Sequence, residues 1–264
     1  MITTAAGATT FLFVPGDRPD RFAKAAAAGA DVIILDLEDA VAPQGKRQAR
    51  DHVRAWLDAG ETGMVRINPP GTPWHADDLA AVAGRAPVML PKAQDPAEVA
   101  AVAERAGEVL ALVETALGIH RAAEVCAVPG VVRAAFGSVD LGAELGVDPT
   151  DAEALRYARS ALVLGSRVAG VEAPVEGVTT AVRDEALLRA DSAHARSLGF
   201  TAKLCIHPAQ LGPVAEVFAP SAAEVEWARA VLAAAQDGGV AVLDGRMVDK
   251  PVVDRARAVL SRVS

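Results

Sequence analysis

The chain has 264 residues, 52% hydrophobic and 4% aromatic, with a formal net charge of −8. That length suits one large domain or two small ones, the acidic balance without a basic stripe argues against a nucleic-acid partner, and the scarce aromatics argue against base stacking. No run approaches the roughly 20 apolar residues of a membrane span, and the N-terminus lacks a signal-peptide pattern, so a cytoplasmic protein with no membrane partner is expected.

Short β-rich runs alternate with Ala-rich helical stretches. Strands are predicted near Leu12–Pro15, Val32–Leu37, Met64–Asn68, Val88–Pro91, Val109–Val113, Val132–Phe136, Ala173–Gly177 and Ala202–Ile206. The helical stretches between and after them are Arg21–Ala28, Gly45–Ala59, Trp74–Gly84, Pro96–Arg105, Gly118–Cys126, Thr150–Gly165, Asp184–Leu198 and Ser221–Ala235. This α/β alternation predicts a (β/α)8 TIM barrel rather than an open sheet. No linker divides the chain, so residues 1–264 are expected to form a single barrel domain. Residues 236–264 form a C-terminal extension: Gly238–Gly245 suggests a turn and short strand, and Met247–Pro251 leads into a last helix. This extension is a candidate for packing on a neighbouring subunit. Cys126 and Cys205 lack metal spacing and are expected to be reduced core thiols.

In such barrels the active site forms at the C-terminal ends of the strands. Read in order, those ends carry Asp17 and Arg18, then Asp36, Glu38 and Asp39, then Arg66 and Asn68, Lys92, Glu114, Asp140 and His207. Glu114 and Asp140 each follow an apolar run that should be buried. A charge there is costly unless solvated, paired or metal-bound, and two carboxylates suit a hard cation, Mg²⁺ or Mn²⁺. Arg66 lies within the apolar strand, opposite in face to Val65 and Ile67. It should fork onto a carboxylate: that of a substrate, or Asp36 and Glu38 of the neighbouring strand, or both. Asp36 and Glu38 share a face and would orient Arg66 or metal-bound water. Lys92 reads equally as a phosphate contact or a pair partner. His207 precedes a proline and reads as a structural hydrogen-bonding histidine or as a base. Asp249 reads as an N-cap before Pro251 and the last helix.

Several stretches together resemble the citrate lyase β-subunit branch of the aldolase/citrate lyase family. They are Phe11–Phe22 (FLFVPGDRPDRF), Asp36–Val41 (DLEDAV), Val65–Asn68 (VRIN), Leu90–Lys92 (LPK), Val113–Thr115 (VET), Phe136–Leu141 (FGSVDL), Cys205–Pro208 (CIHP) and Met247–Asp249 (MVD). The resemblance implies a (β/α)8 barrel, usually trimeric, with one Mg²⁺ per site held by Glu114 and Asp140. It also implies substrate contacts from Arg66, Glu114, Gly137 and Ser138, and coenzyme A phosphate contacts from Arg18 and Lys24. Asp249 would enter a neighbouring subunit's site as acid/base. Asp39 stands where the family's pyruvate aldolases have a histidine, which favours the acyl-CoA lyase branch and makes Asp39 a catalytic candidate.

The expected function is reversible cleavage of a 3-hydroxyacyl-CoA thioester (malyl, citramalyl, hydroxymethylglutaryl or citryl) to a keto acid and acetyl-CoA or a relative. The alternative is a true citrate lyase β subunit, releasing oxaloacetate from an acyl-carrier partner within a complex. A catalytically silent scaffold is a third reading, disfavoured by the intact Glu114, Asp140 and Arg66.

Overall fold

The computed structural model describes residues 5–235, 241–243 and 245–263. Eight parallel strands close into a barrel in chain order. They are β1 (Thr10–Pro15), β2 (Val32–Asp36), β3 (Met64–Arg66), β4 (Val88–Leu90), β5 (Val109–Val113), β6 (Val131–Phe136), β7 (Glu172–Glu176) and β8 (Ala202–Cys205). β8 returns to β1, with Thr10 opposite Lys203. Helices cover the outer face of the sheet, so most strands are buried on both sides and read as unbroken apolar runs rather than as alternation. The inward positions interlock as one core, among them Phe11, Ile34, Met64, Met89, Leu110, Ala135, Val175 and Leu204.

Around the barrel run α1 (Phe22–Ala26), α2 (Lys46–Asp58), α3 (His75–Val82), α4 (Pro96–Ala106), α5 (Ala116–His120), α6 (Ala122–Cys126), α7 (Ser138–Leu145), α8 (Arg156–Ala169) and α9 (Glu185–Leu198). Three departures from the sequence reading have local causes. The helix expected over Gly118–Cys126 is two short helices, because Arg121 leaves the helical region at φ −100° and ψ 18°. The helix expected over Thr150–Gly165 begins only at Arg156 and runs on to Ala169. Ahead of it, Asp148 accepts the Thr150 N–H and Asp151 those of Glu153 and Ala154, local bonds that compete with helix formation. Third, α7 starts straight after β6, so Asp140 sits in the first turn of a helix rather than at the end of a strand. Cys126 and Cys205 are free and buried.

The N-terminal end of the barrel is closed around Arg133, which is 1% exposed. Its guanidinium donates to the carbonyls of Ala173, Ala5, Ala6 and Ala8 and to Thr201 Oγ1. These acceptors are all neutral, and burial pushes its pKa down to about 10.

The chain divides into two compact units, Met1–Ala215 and Glu216–Ser264. α10 (Leu211–Phe218) spans the division. The second unit contains α11 (Ala222–Ala234), the antiparallel pair β9 (Ala241–Leu243) and β10 (Arg246–Val248), and α12 (Lys250–Leu260). Ser221 and Glu224 form a reciprocal capping box at the start of α11. Ala228, Val231, Val248, Ala256 and Val259 make the unit's own core. Of the expected turn and strand over Gly238–Gly245, Gly238, Gly239, Val240 and Asp244 lie outside the described residues. Among the described residues no helix is long and apolar enough to cross a membrane.

Candidate active site

A cavity of about 370 Å³ opens at the C-terminal end of the barrel, and its lining includes Asp36, Asp39, Arg66, Glu114, Gly137, Ser138 and Asp140. The strands place these residues by their alternation. Val65 of β3 and Ile67 just beyond it are fully buried while Arg66 lines the cavity. Its Nε and Nη2 donate to the two oxygens of Asp36 at 2.7 and 2.6 Å, a bidentate pair. Its Nη1 stands 2.9 Å from Glu38 Oε2 and 3.9 Å from Asp39 Oδ2. The Glu38 contact lacks hydrogen-bond alignment, so that buried oxygen has no hydrogen-bond partner among the described residues. Burial opposes the Arg66 charge, but Asp36, Glu38 and Asp39 outweigh it and raise its pKa. Both sequence readings of Arg66 therefore remain compatible: it is paired with Asp36, and it still lines the cavity.

The negative side of the cavity is in excess. Burial pushes Glu38 up to about 8, against the pull of Arg66. Glu114, 4% exposed just beyond β5, is pushed up to about 7 by burial and then by the charge of Asp140. Its Oε1 accepts the Lys92 backbone N–H at 3.0 Å. Lys92 Nζ donates to Asp140 Oδ1 at 2.7 Å. The pair-partner reading of Lys92 thus describes its contacts. Gly137 lies so close to Glu114 that a Cβ on it would overlap Glu114 Cβ and Oε2. Ser138 is buried at the start of α7.

Lys46 pins the β2 end from beneath, donating from Nζ to the carbonyls of Leu37 and Glu38 and to Asn68 Oδ1. On the opposite side Arg159 of α8 forks onto Glu176 of β7 at 3.0 Å for both bonds, and its guanidinium lies 4.7 Å over the Phe136 ring. Lys203 of β8 is buried and donates to the Gly177 carbonyl at 2.7 Å; burial lowers its pKa. Sequence reasoning missed the buried Glu176, Arg159 and Lys203, none of which lines the cavity. Glu176 and Lys203 each interrupt an apolar strand run, the same signal that marked Arg66.

Within the first unit, Arg18, Lys24 and His207 are not part of the cavity lining. Arg18 forms an exposed bidentate pair with Asp20 and Lys24 lies exposed on α1. His207 is exposed, and its Nδ1 accepts the Ala209 N–H. Asp249, in the second unit, accepts the Val252 N–H as the N-cap of α12. Among the described residues no group of three or more His, Cys, Asp and Glu is arranged to hold a metal. Glu114 and Asp140 remain as a two-carboxylate donor set whose charge excess and hard oxygens fit a divalent cation.

Residues 9–208 match the HpcH/HpaI aldolase/citrate lyase family. A citrate lyase subunit beta-like protein of Mycobacterium tuberculosis (strain H37Rv) is 42% identical over 96% of this chain and 94% of that protein. A (3S)-malyl-CoA thioesterase of Cereibacter sphaeroides (strain ATCC 17025) is 39% identical over 95% of this chain and 93% of that protein. The crystal structure of CitE from M. tuberculosis in complex with magnesium, acetoacetate and coenzyme A superposes with a TM-score of 0.87 and 41% identity, covering 98% of each chain. The chain belongs to the HpcH/HpaI aldolase/citrate lyase family. Within it, the chain is a lyase of the kind related to citrate lyase β subunits.

Proposed function

We propose that this enzyme cleaves a carbon–carbon bond of a 3-hydroxyacyl-CoA thioester reversibly and with Mg²⁺, giving a keto acid and acetyl-CoA or a relative. The observation that carries the reading is the placement of Glu114, Asp140 and Arg66 in the lining of one cavity. Glu114 and Asp140 would hold Mg²⁺ or Mn²⁺, leaving its other positions to water and substrate oxygens. Bound there, the cation would supply Lewis-acid polarisation of the carbonyl formed on cleavage. The co-crystallised magnesium, acetoacetate and coenzyme A of the M. tuberculosis relative support this assignment.

Arg66, already oriented by Asp36, takes the keto acid's carboxylate. Gly137 and Ser138 bound the substrate at the start of α7. Asp39, 67% exposed beside Arg66, accepts the 3-hydroxyl proton as the bond breaks. Arg18 and Lys24 hold the coenzyme A phosphates. Asp249 returns a proton to the enolate of the acyl-CoA product, or removes it in the reverse direction. We place residues 1–264 in one barrel domain whose extension, residues 236–264, brings Asp249 to a neighbouring subunit of a cytoplasmic homotrimer.

Malyl-, citramalyl-, hydroxymethylglutaryl- and citryl-CoA are the substrate candidates. The 39% identity to a malyl-CoA thioesterase favours a second reading, hydrolysis of the thioester. Incubation of the purified protein and Mg²⁺ with each thioester separates them. Cleavage of malyl-CoA yields glyoxylate and acetyl-CoA with no free thiol, whereas hydrolysis yields malate and free coenzyme A. Turnover only with citryl-acyl carrier protein, releasing oxaloacetate, would instead mark a citrate lyase β subunit. No turnover of any thioester would reject the enzyme reading in favour of a scaffold.

A further inference from the structure

Lys92, two residues beyond β4, has φ 51°, the one positive φ outside glycine among the described residues. A side chain in that region is strained and persists where surrounding contacts demand it. The contacts here are two. The backbone N–H donates to Glu114 Oε1 at 3.0 Å, and Nζ donates to Asp140 Oδ1 at 2.7 Å. One residue thereby grips Glu114 and Asp140, the first through its main chain and the second through its side chain. Each carboxylate is left with a second oxygen, Glu114 Oε2 and Asp140 Oδ2, that accepts no hydrogen bond from the described residues. Gly137 leaves the Glu114 Oε2 side clear, since any Cβ there would overlap it.

We infer that Lys92 is a positioning residue, holding one oxygen of each carboxylate so that the other two are presented together to a divalent cation. The inference rests on the Mg²⁺ reading above. Two carboxylates close together in a half-dry site repel each other, and unheld ones rotate apart or take up a proton. Hydrogen bonds to the oxygens that face away from a metal fix the rotamers and favour the ionised form, as the outer partners of metal ligands do elsewhere. The ammonium also repels a cation. Its side chain is 40% exposed, so water screens that repulsion while the directional bond to Asp140 persists.

The test is Mn²⁺ binding to the full-length protein, followed by electron paramagnetic resonance of the free ion at fixed pH. Lys92→Met keeps the side-chain length and loses the donor. Lys92→Gly loses the donor, keeps the N–H and suits the positive φ, so its fold is the least at risk. Both should bind Mn²⁺ about tenfold or more weaker, the range for lost outer-shell partners. Lys92→Arg, which retains a donor, should recover most of the affinity. Activity of Lys92→Met should return at high Mg²⁺, with an unchanged melting temperature. Equal or tighter Mn²⁺ binding by the Met and Gly variants overturns the role of Lys92 and leaves the metal site standing. Failure of the wild-type protein to bind Mn²⁺ at millimolar concentration overturns the site and the inference together.

Discussion

Replacing Glu38 by Gln tests the charge excess directly. Burial lifts this carboxyl from 4.5 to about 8. Between those values the folded chain holds a proton that the unfolded chain has released, so stability falls as pH rises through the window. At about 1.4 kcal/mol per unit, the full native-state cost above pH 8 is on the order of 4–5 kcal/mol. The carboxamide of the Glu38→Gln variant never ionises and escapes that cost. The stability of Glu38→Gln relative to wild type should therefore climb by about 1.4 kcal/mol per pH unit between roughly pH 5 and 7.5, and level off above pH 8. A carboxamide beside Arg66 adds an offset that does not change with pH. The assay is urea unfolding of both proteins in chelator across a pH series. A difference that stays flat, or narrows with pH, refutes the buried-carboxyl account of the cavity.

Glu114 is pushed up to about 7, and a ligating carboxylate must be deprotonated. Mg²⁺ affinity measured by calorimetry should accordingly rise from pH 6 to pH 8; a pH-independent affinity would count against Glu114 as a ligand. Gly137→Ala should abolish metal-dependent activity through collision with Glu114 and lower stability by about 1–3 kcal/mol, the cost of overpacking; wild-type activity would deny that the glycine is needed. Arg66→Lys keeps the charge but loses the fork, so kcat/KM should fall by a few kcal/mol of transition-state stabilisation; unchanged kinetics would remove Arg66 from substrate binding. Asp249→Ala and Glu114→Ala should each be inactive alone, yet regain part of the thioester cleavage when refolded together if Asp249 serves a neighbour's site; absence of rescue would place the tail over its own barrel.

The barrel was legible because buried parallel strands read as compact apolar runs, and Glu114, Arg66 and Asp36 were legible because they interrupt or end such runs. α7 was not, since Ser138–Leu145 follows β6 with no turn between and contains Gly142, a poor helix former. The contact of Lys92 with Asp140 spans 48 residues, and only the closed barrel brings them together. Nothing in the sequence around Arg159 marks it, because its pairing with Glu176 is a contact between α8 and β7 that only the folded chain forms. The two sequence readings of Asp249 show the same boundary. The cap is a local contact that spacing foretells, whereas a role in another subunit is not written in the neighbouring residues.

The carbonyls of Ala5, Ala6 and Ala8 that surround Arg133 make the start of the chain a latch. Residues at a terminus are usually the safest to trim or to fuse to a tag. Here trimming past Ala8 would strip acceptors from a buried guanidinium, at about 1–3 kcal/mol for each N–H left unsatisfied. A shortened protein would lose activity through breathing of the barrel at the end remote from the chemistry. Faster hydrogen exchange in β6 and β7 would reveal the unlatched state before any change at the strand ends that carry the cavity.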